Sequence, residues 1–190
     1  MRNAKIITDV TIPKELRIAV TEVSIPFSVE SIGTWTFAKC ISLKSIIIPD
    51  SVKSIGSYAF AKCISLKSII IPDSVKSIDY GTFSNCTFLE SIVIPDSVKS
   101  IGNYAFVSCT SLKSIVIPDS IKSIGKWAFG DCTSLISITI PDSIENIGKR
   151  AFCNCTSLKE VIFKEKTMDE VKAMDYYPWG IKDASIIRCE

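Results

Sequence analysis

The chain has 190 residues, of which 47% are hydrophobic and 22% charged, with a formal net charge of +2. This composition is that of a globular protein, and the nearly balanced charge argues against a nucleic-acid binder that relies on a basic surface. Histidine is absent, which removes the commonest general base and the commonest zinc ligand, so we predict no catalytic residue, metal site or cofactor.

The segment over residues 1–22 differs from the rest of the chain. Ile6–Ile12 and Arg17–Ile25 are predicted strands on either side of Pro13, and they form an N-terminal cap. Residues 1–9 lack the apolar core of a secretory signal, and no apolar run in the chain approaches the roughly 18 residues of a membrane span. We therefore expect no membrane insertion, and the compartment stays open.

From residue 23 onwards three residue types recur with one period, since 49 − 26 = 23. Proline occupies positions 26, 49, 72, 95, 118 and 141, cysteine 40, 63, 86, 109, 132 and 155, and phenylalanine 37, 60, 83, 106, 129 and 152. A fixed period of this size indicates a solenoid. About six repeats over 23–163 are predicted, followed by a C-terminal cap over 164–190. Solenoids display rows of side chains and seldom build deep pockets, so binding is favoured over catalysis.

Each repeat begins with a predicted strand. Lys44–Ile48 is rich in β-branched residues and ends at Pro49, which cannot donate to a further ladder. The period of two places Ile46 on the core side, with Ser45 and Ile47 on the outer side. Stacking repeats about 4.7–4.9 Å apart then lines up equivalent residues of successive strands as rows.

The second half of the repeat is predicted to return the chain to the core. The side chain of Asp50 is expected to bond to backbone two residues on, and Val52 and Ile55 point inward as a second short strand. Gly56 is expected to form a corner with positive φ, where the third repeat has Asp79. Ser57–Lys62 is predicted to form about one helical turn.

Two rows on the outer side of the first strand are the candidate binding surface. The first is β-branched and comprises Ile47, Ile70, Val93, Val116, Thr139 and Ile162; the second, beside it, comprises Ser45, Ser68, Ser91, Ser114 and Ser137. A contiguous apolar stripe usually marks an interaction surface. The alternative is that β-branched residues are present only because they form good strands.

Cysteines and lysines form further rows. The cysteine row is predicted to be a reduced, buried ladder, because parallel side-chain vectors give poor disulfide geometry. Cys189 is expected to be an exposed thiol. Lys53, Lys76, Lys99 and Lys122 form a like-charge row, and aspartates three residues before them are expected to offset it. The alternative is an electrostatic strip for an acidic partner, with binding that weakens steeply with salt.

The C-terminal segment has its own elements. Thr167–Glu170 is a capping box that opens a short predicted helix to about Met174. An aromatic turn over Tyr176–Gly180 follows, with Trp179 as the plug of the core, and Ser185–Cys189 is a last strand. Terminal units of a solenoid need an atypical outer face, which this segment supplies.

The repeat pattern Leu-x-x-Ile-x-Ile-Pro-x-x-Val-x-x-Ile-Gly-x-x-Ala-Phe-x-x-Cys resembles the BspA-like leucine-rich repeats over about residues 23 to 163. Departures are Asp79 for glycine, Thr36 and Thr82 for alanine, and Arg150 for an aromatic residue. The resemblance implies a leucine-rich-repeat solenoid, mainly β with short helical turns, one parallel sheet on the concave face and capped ends. It also implies a role in adhesion or host interaction at an exposed surface, and hence a secreted or cell-surface location.

Three hypotheses of function follow. The first is a non-enzymatic protein that recognises a protein or glycan through the concave strand face. The second is a structural spacer or self-assembling element of a cell-surface or phage appendage, which makes a homo-oligomer possible. The third, an enzyme using a thiol at Cys153, Cys155 or Cys189, has no histidine to activate it.

Overall fold

The computed structural model describes residues 12–190, so the strand predicted over Ile6–Ile12 lies outside the described residues except for its last position. The described chain is a parallel β-solenoid of about seven turns, which confirms the predicted fold class. Every strand pair is parallel and joins residues 23 positions apart within the repeats, as between Glu22 and Ser45 or Ser68 and Ser91. The repeats therefore stack in register.

Two sets of strands run along the stack. The longer strands lie in one row, here called the first sheet: β1 Glu22–Ser24, β3 Ser45–Ile47, β5 Ser68–Ile70, β6 Ser91–Val93, β9 Ser137–Ile140, β11 Glu160–Phe163 and β12 Ile187–Cys189. The short strands lie in a second row: β2 Ser31–Ile32, β4 Ser54–Ile55, β7 Ser100–Ile101, β8 Ser123–Ile124 and β10 Asn146–Ile147. Strand hydrogen bonds join β1 to β3, β5 to β6 and β9 to β11 to β12 in the first row, and β2 to β4 and β7 to β8 to β10 in the second. Isolated bridges continue both sets at Val116–Thr139 and Ile78–Ile101. The predicted second strand is thus confirmed.

The core between the two sets is built of ladders of identical side chains. Phenylalanine rings from Phe37 to Phe152 stack nearly parallel, with successive ring centroids 5.2–5.7 Å apart. Leucines from Leu43 to Leu135 are fully buried beside them. Each buried ring therefore contacts the equivalent ring of the next coil, and the ladders join the coils throughout the interior.

The segment predicted as a helical turn is instead a run of tight turns. Tyr58 and Lys62 have positive φ, and the backbone N–H groups of Tyr58, Phe60 and Lys62 donate to carbonyls of the next coil at 2.8–2.9 Å. The helical prediction was wrong because a helix would direct these donors along its own axis. The neighbouring coil offers carbonyls in register, and the turns form a third ladder of hydrogen bonds along the stack.

Serine, not aspartate, makes the hydrogen bond at the proline turn. The Ser51 hydroxyl donates to the Val29 carbonyl of the preceding coil at 2.8 Å, and equivalent bonds recur at Ser74, Ser97, Ser120 and Ser143. The bond predicted for Asp50 is not formed within the described residues, because the Val52 N–H, two residues on, already donates to the Pro49 carbonyl at 3.0 Å. The aspartate side chains are left at the surface.

The glycine that ends the second strand was predicted for the wrong reason. Neither Gly56 nor Asp79 has positive φ. A Cβ on Gly125 would lie 2.5 Å from the backbone nitrogen of Asn103 and from the carbonyl carbon of Gly102. The glycine row therefore exists because the backbones of successive coils approach closely, which is a tertiary constraint.

We expect Gly125→Ala to lower the free energy of unfolding by about 2–3 kcal/mol, because the added methyl group meets backbone that cannot move aside. The matched control is Gly33→Ala in the first coil, where the nearest atom to an added Cβ is the Thr36 hydroxyl oxygen at 3.3 Å. Urea unfolding of both variants measures the difference. Equal losses in the two variants would contradict the close-approach explanation.

The N-terminal end is closed by a short helix and an arginine. Helix α1, Lys14–Arg17, occupies the start of the segment predicted as a strand over Arg17–Ile25, and only Glu22–Ser24 is extended. The Arg17 guanidinium donates to the carbonyls of Ile12 and Ala38, each at 2.8 Å. In later coils the equivalent carbonyl accepts a hydrogen bond from a backbone N–H of the preceding coil, as the Ala61 carbonyl does from Lys39. Arg17 supplies that donor where the stack begins.

The C-terminal end matches its predicted elements closely. Helix α2, Met168–Ala173, starts at the capping box, in which Thr167 accepts from the Glu170 N–H and the Glu170 carboxylate accepts from the Thr167 N–H. Trp179 is fully buried, and its carbonyl accepts from Phe152 at 3.1 Å. The last strand begins at Ile187, after a 3₁₀ turn over Ala184–Ile186. The tryptophan therefore closes both the apolar core and the hydrogen-bond ladder.

Candidate interaction surface

The outward side of the first sheet, here called the strand face, carries four exposed aliphatic side chains in line. Ile47 is 68% exposed, Ile70 70%, Val93 58% and Val116 79%. We call these four residues the apolar row. Their neighbours in the strands, from Ile46 to Ile115, are buried, so the alternation predicted from the sequence is the one observed.

The apolar row has an end in each direction. It stops at Ser24 in the first strand, and towards the C-terminus Thr139 and Ile162 are only partly exposed. Beyond Ile162 the register places Arg188, whose guanidinium lies 2.6 Å from the Glu160 carboxylate. The predicted surface is therefore apolar from the second to the fifth coil, at Ile47, Ile70, Val93 and Val116, and becomes polar at the C-terminal cap.

The serine row lies beside the apolar row, as predicted. Ser45, Ser68, Ser91 and Ser114 are exposed, and Ser137 is partly exposed. Strands form at this outward position without a β-branched side chain. The strands therefore do not need a β-branched residue at every outward position in order to form. This argues against the alternative that the aliphatic residues of the apolar row are present only as strand formers.

Charged side chains border the strand face on both sides. One residue before the first strand lies the lysine edge, formed by the exposed residues Lys44, Lys67, Lys113 and Lys159, with Glu90 and Ile136 at the equivalent places in the fourth and sixth coils. After the proline lies the aspartate edge, formed by the exposed residues Asp50, Asp73, Asp96, Asp119 and Asp142. Within residues 12–190 only Asp142 of this edge forms an ion pair, at 3.1 Å with Lys166.

The second lysine row is partnered differently from the prediction. The Lys53 ammonium lies 2.9 Å from the Glu30 carboxylate, and Lys122 lies 3.5 Å from Glu145. These partners are glutamates of adjacent coils, not the aspartates of the same coil. The expected offset by aspartate is therefore not a direct ion pair with these lysines within the described residues. Such exposed pairs contribute little to stability.

From Cys40 to Cys132 the cysteine row is a buried ladder of free thiols, as predicted, and Cys155 at its end is partly exposed. Each thiol from Cys63 onwards donates to a phenylalanine carbonyl of the preceding coil, with sulfur–oxygen distances of 3.1–3.2 Å. Burial raises the pKa of Cys40 to about 11 and that of Cys86 to about 12. These thiols stay protonated at neutral pH, and a protonated thiol is a poor nucleophile.

The remaining thiols lie towards the C-terminal cap. Cys153, Cys155 and Cys189 are partly exposed free thiols. Cys189, which was expected to be exposed, is only partly so, since it forms the end of β12. Burial raises the pKa of Cys155 to about 12. Within the described part of the chain, no group of three or more cysteine, aspartate or glutamate residues could hold a metal ion.

The aromatic position from which Arg150 departs forms a row of surface contacts that was not predicted from the sequence. Trp35 and Tyr58 stack with ring centroids 4.0 Å apart, Tyr80 and Tyr104 continue the row, and the Arg150 guanidinium lies over Trp127. The signal was present, because an aromatic residue lies two positions before the phenylalanine in several repeats. Only Trp35 and Tyr58 stack face to face; the Tyr80 ring is tilted by 55° to that of Tyr58 and by 40° to that of Tyr104. These side chains contact one another along the row, whereas among the described residues no such contact joins the aliphatic side chains of the apolar row to a covering group.

The chain matches the family model described as BspA type leucine-rich repeat region, in six copies, over residues 15–106 and 81–183. No curated protein matches it. Among residues 12–190 no helix has the length and apolar character that crossing a membrane requires.

Three solved structures are similar to the chain. The T. pallidum leucine-rich repeat protein TpLRR is 32% identical, with 84% of this chain and 72% of that chain covered and a TM-score of 0.74. A leucine-rich repeat protein from Eubacterium ventriosum ATCC 27560 is 26% identical, with coverage of 71% and 43% and a TM-score of 0.59. A leucine-rich cell surface protein from Faecalibacterium prausnitzii A2-165 is 24% identical, with coverage of 83% and 63% and a TM-score of 0.54, and shows the fold alone. On its repeats, its family match and its similarity to TpLRR, the chain belongs to the BspA-type leucine-rich repeat family.

Proposed function

We propose that this protein is a non-enzymatic recognition module that binds another macromolecule, a protein or a glycan, through its strand face. The observation that carries the proposal is the apolar row, in which four aliphatic side chains are 58–79% exposed at successive strand positions. Surfaces of this kind mark interaction sites, since isolated exposed aliphatic residues are common but aligned ones are not. Proteins of this fold are generally non-enzymatic, and the absence of histidine and the protonated buried thiols favour the same conclusion.

The composition of the face favours a protein partner over a glycan. The apolar row consists of isoleucine and valine, which pack against apolar side chains of a partner. The exposed serines beside it offer hydroxyl groups that both donate and accept hydrogen bonds. A central apolar strip with a polar and charged border is the usual anatomy of a protein–protein interface.

We expect the double variant Ile70→Lys/Val93→Lys to lose partner binding while its free energy of unfolding changes by less than about 0.5 kcal/mol, because both side chains already lie at the surface. Binding is measured with the immobilised chain against proteins and glycans of its native surroundings, and folding by circular dichroism and thermal unfolding. The matched control is Ile64→Lys/Phe88→Lys, since these residues are 39% and 56% exposed outside the first sheet.

The comparison of the two double variants decides the proposal. Loss of binding in the strand-face variant alone supports it. Binding that survives intact in the strand-face variant, or is lost equally in both variants, places the binding site elsewhere on the molecule.

A further inference from the structure

On the strand face, a positively charged edge and a negatively charged edge lie on opposite sides of the apolar row. In a repeat the apolar residue lies midway between the two charged edges: Ile70 follows Lys67 by three positions and precedes Asp73 by three. The same spacing holds for Lys44, Ile47 and Asp50 in the coil before. Each such repeat therefore presents a positive group, an apolar group and a negative group in a line across the stack.

A second copy can be placed on the strand face by a two-fold axis that runs along the apolar row. The positive group of each repeat then lies opposite the negative group of the same repeat in the other copy. Rotation about that axis faces each coil with the same coil of a second copy, so that Lys67 of one copy lies opposite Asp73 of the other. The alternative axis, across the stack, would place the lysine edges opposite each other and the aspartate edges opposite each other. Like charges that meet across an interface oppose association, so complementarity favours the first axis.

The charges of the aspartate edge are available for such a contact. Asp50, Asp73, Asp96 and Asp119 form no ion pair within the described residues, and the stack spaces these carboxylates about 5 Å apart. A second copy would supply lysines opposite three of them. Glu90 is the exception, since it would face Asp96.

The size of the face sets the strength of the contact. Six residues of extended chain span about 20 Å and six coils about 29 Å, so each copy would bury about 600 Å². The total of about 1,200 Å² lies at the lower limit for specific interfaces. The pair is therefore expected to form in the micromolar range or more weakly.

We propose that the strand face binds a second copy of this chain, in a parallel two-fold pair with like coils facing each other. This inference rests on the proposed function, because it names a partner for the same surface. A weakly bound second copy covers the apolar row and is displaced by a partner that binds more tightly. Exposed aliphatic side chains are thereby protected from water in the free protein.

Sedimentation equilibrium of the full chain from about 10 µM to 1 mM brackets the expected affinity. The average mass of the unaltered protein is expected to rise from one chain towards two. Ile70→Lys/Val93→Lys is expected to remain a monomer over the same range. A strict monomer for the unaltered protein at every concentration would overturn the proposal.

Charge exchange tests the direction of the pair. Lys67→Asp is expected to weaken association about tenfold, since symmetry places the repulsion at two contacts. Lys67→Asp/Asp73→Lys is expected to restore association, because the exchanged charges again face opposite charges. Lys76→Asp, the same change at an exposed lysine outside the lysine edge, is the control and is expected to leave association unchanged.

Each other result rejects the pair as described. Stronger association of Lys67→Asp would indicate the axis across the stack, and equal association of all charge variants would remove the role of the edges. If the unaltered chain is a monomer while Ile70→Lys/Val93→Lys still abolishes binding of another partner, this inference is wrong and the proposed function stands. If the chain pairs as described but no other macromolecule binds to the strand face, the proposed function is wrong and the pairing of two copies stands.

Discussion

Phe106→Ala is expected to lower the free energy of unfolding by about 3–5 kcal/mol, a large part of the stability of a domain of this size. Phe106 is fully buried, and its ring stacks on those of Phe83 and Phe129 at 5.4 and 5.3 Å. Removing the ring leaves a cavity in the middle of the stack and interrupts contacts with both neighbouring coils. Chemical denaturation followed by circular dichroism measures the loss.

The control for this prediction is Phe27→Ala, since Phe27 is 83% exposed. Its substitution is expected to change stability by no more than about 0.5 kcal/mol. A loss of less than about 1 kcal/mol for Phe106→Ala would mean that the phenylalanine ladder is not the centre of the core.

The second large effect is a loss of stability at alkaline pH caused by the thiol ladder. Burial raises the pKa of Cys86 to about 12, whereas a thiol in an unfolded chain titrates near 8.5. Below about pH 8.5 the thiol is protonated in both states and contributes no pH dependence. Above it the unfolded state binds fewer protons than the folded state, so stability falls as pH rises towards 12.

Each buried thiol contributes a slope of about −1.4 kcal/mol per pH unit in this range. The fully buried thiols are Cys40, Cys63, Cys86, Cys109 and Cys132. Because burial raises the pKa of each of these thiols, their contributions have the same sign, and stability falls more steeply than one thiol alone would make it. The slope is obtained by measuring the free energy of unfolding in urea at intervals from about pH 8 to about pH 10.5. This range begins near the pKa of a thiol in the unfolded chain.

Cys86→Ala is expected to reduce the magnitude of this slope by about 1.4 kcal/mol per pH unit, because one titrating group is removed. Leu89→Ala is the control: it creates a cavity at a fully buried position and lowers stability at every pH, but it leaves the slope unchanged. If Cys86→Ala had the same slope as the unaltered protein, the thiol would not be protonated and buried as the structure has it.

The order and phase of the ladders could be predicted from the sequence because they depend on local periodicity. Ile46 inward and Ile47 outward follow from the period of two, and the turn after them follows from Pro49. The capping box at Thr167 is also a local signal, and the helix begins there. The exposed apolar row belongs to the same class, so the candidate surface was predictable in position.

Features that depend on contact between coils could not be predicted in the same way. The glycine at position 125 is needed because another backbone lies 2.5 Å from where its Cβ would be, and nothing within one repeat reveals that neighbour. Positive φ at Tyr58 and Lys62 depends on hydrogen bonds to the next coil. The role of Arg17 likewise exists only where the stack ends.

Photo-crosslinking from a benzoylphenylalanine placed at position 70 tests the interaction surface most directly, with position 64 as the comparison outside the first sheet. We predict discrete products of defined mass from position 70, either a pair of chains or one chain with a bound macromolecule, and none from position 64. Products from position 64 alone would contradict the assignment of the strand face as the contact surface. The absence of any product from position 70, at concentrations where pairing or partner binding is detected, would contradict it as well.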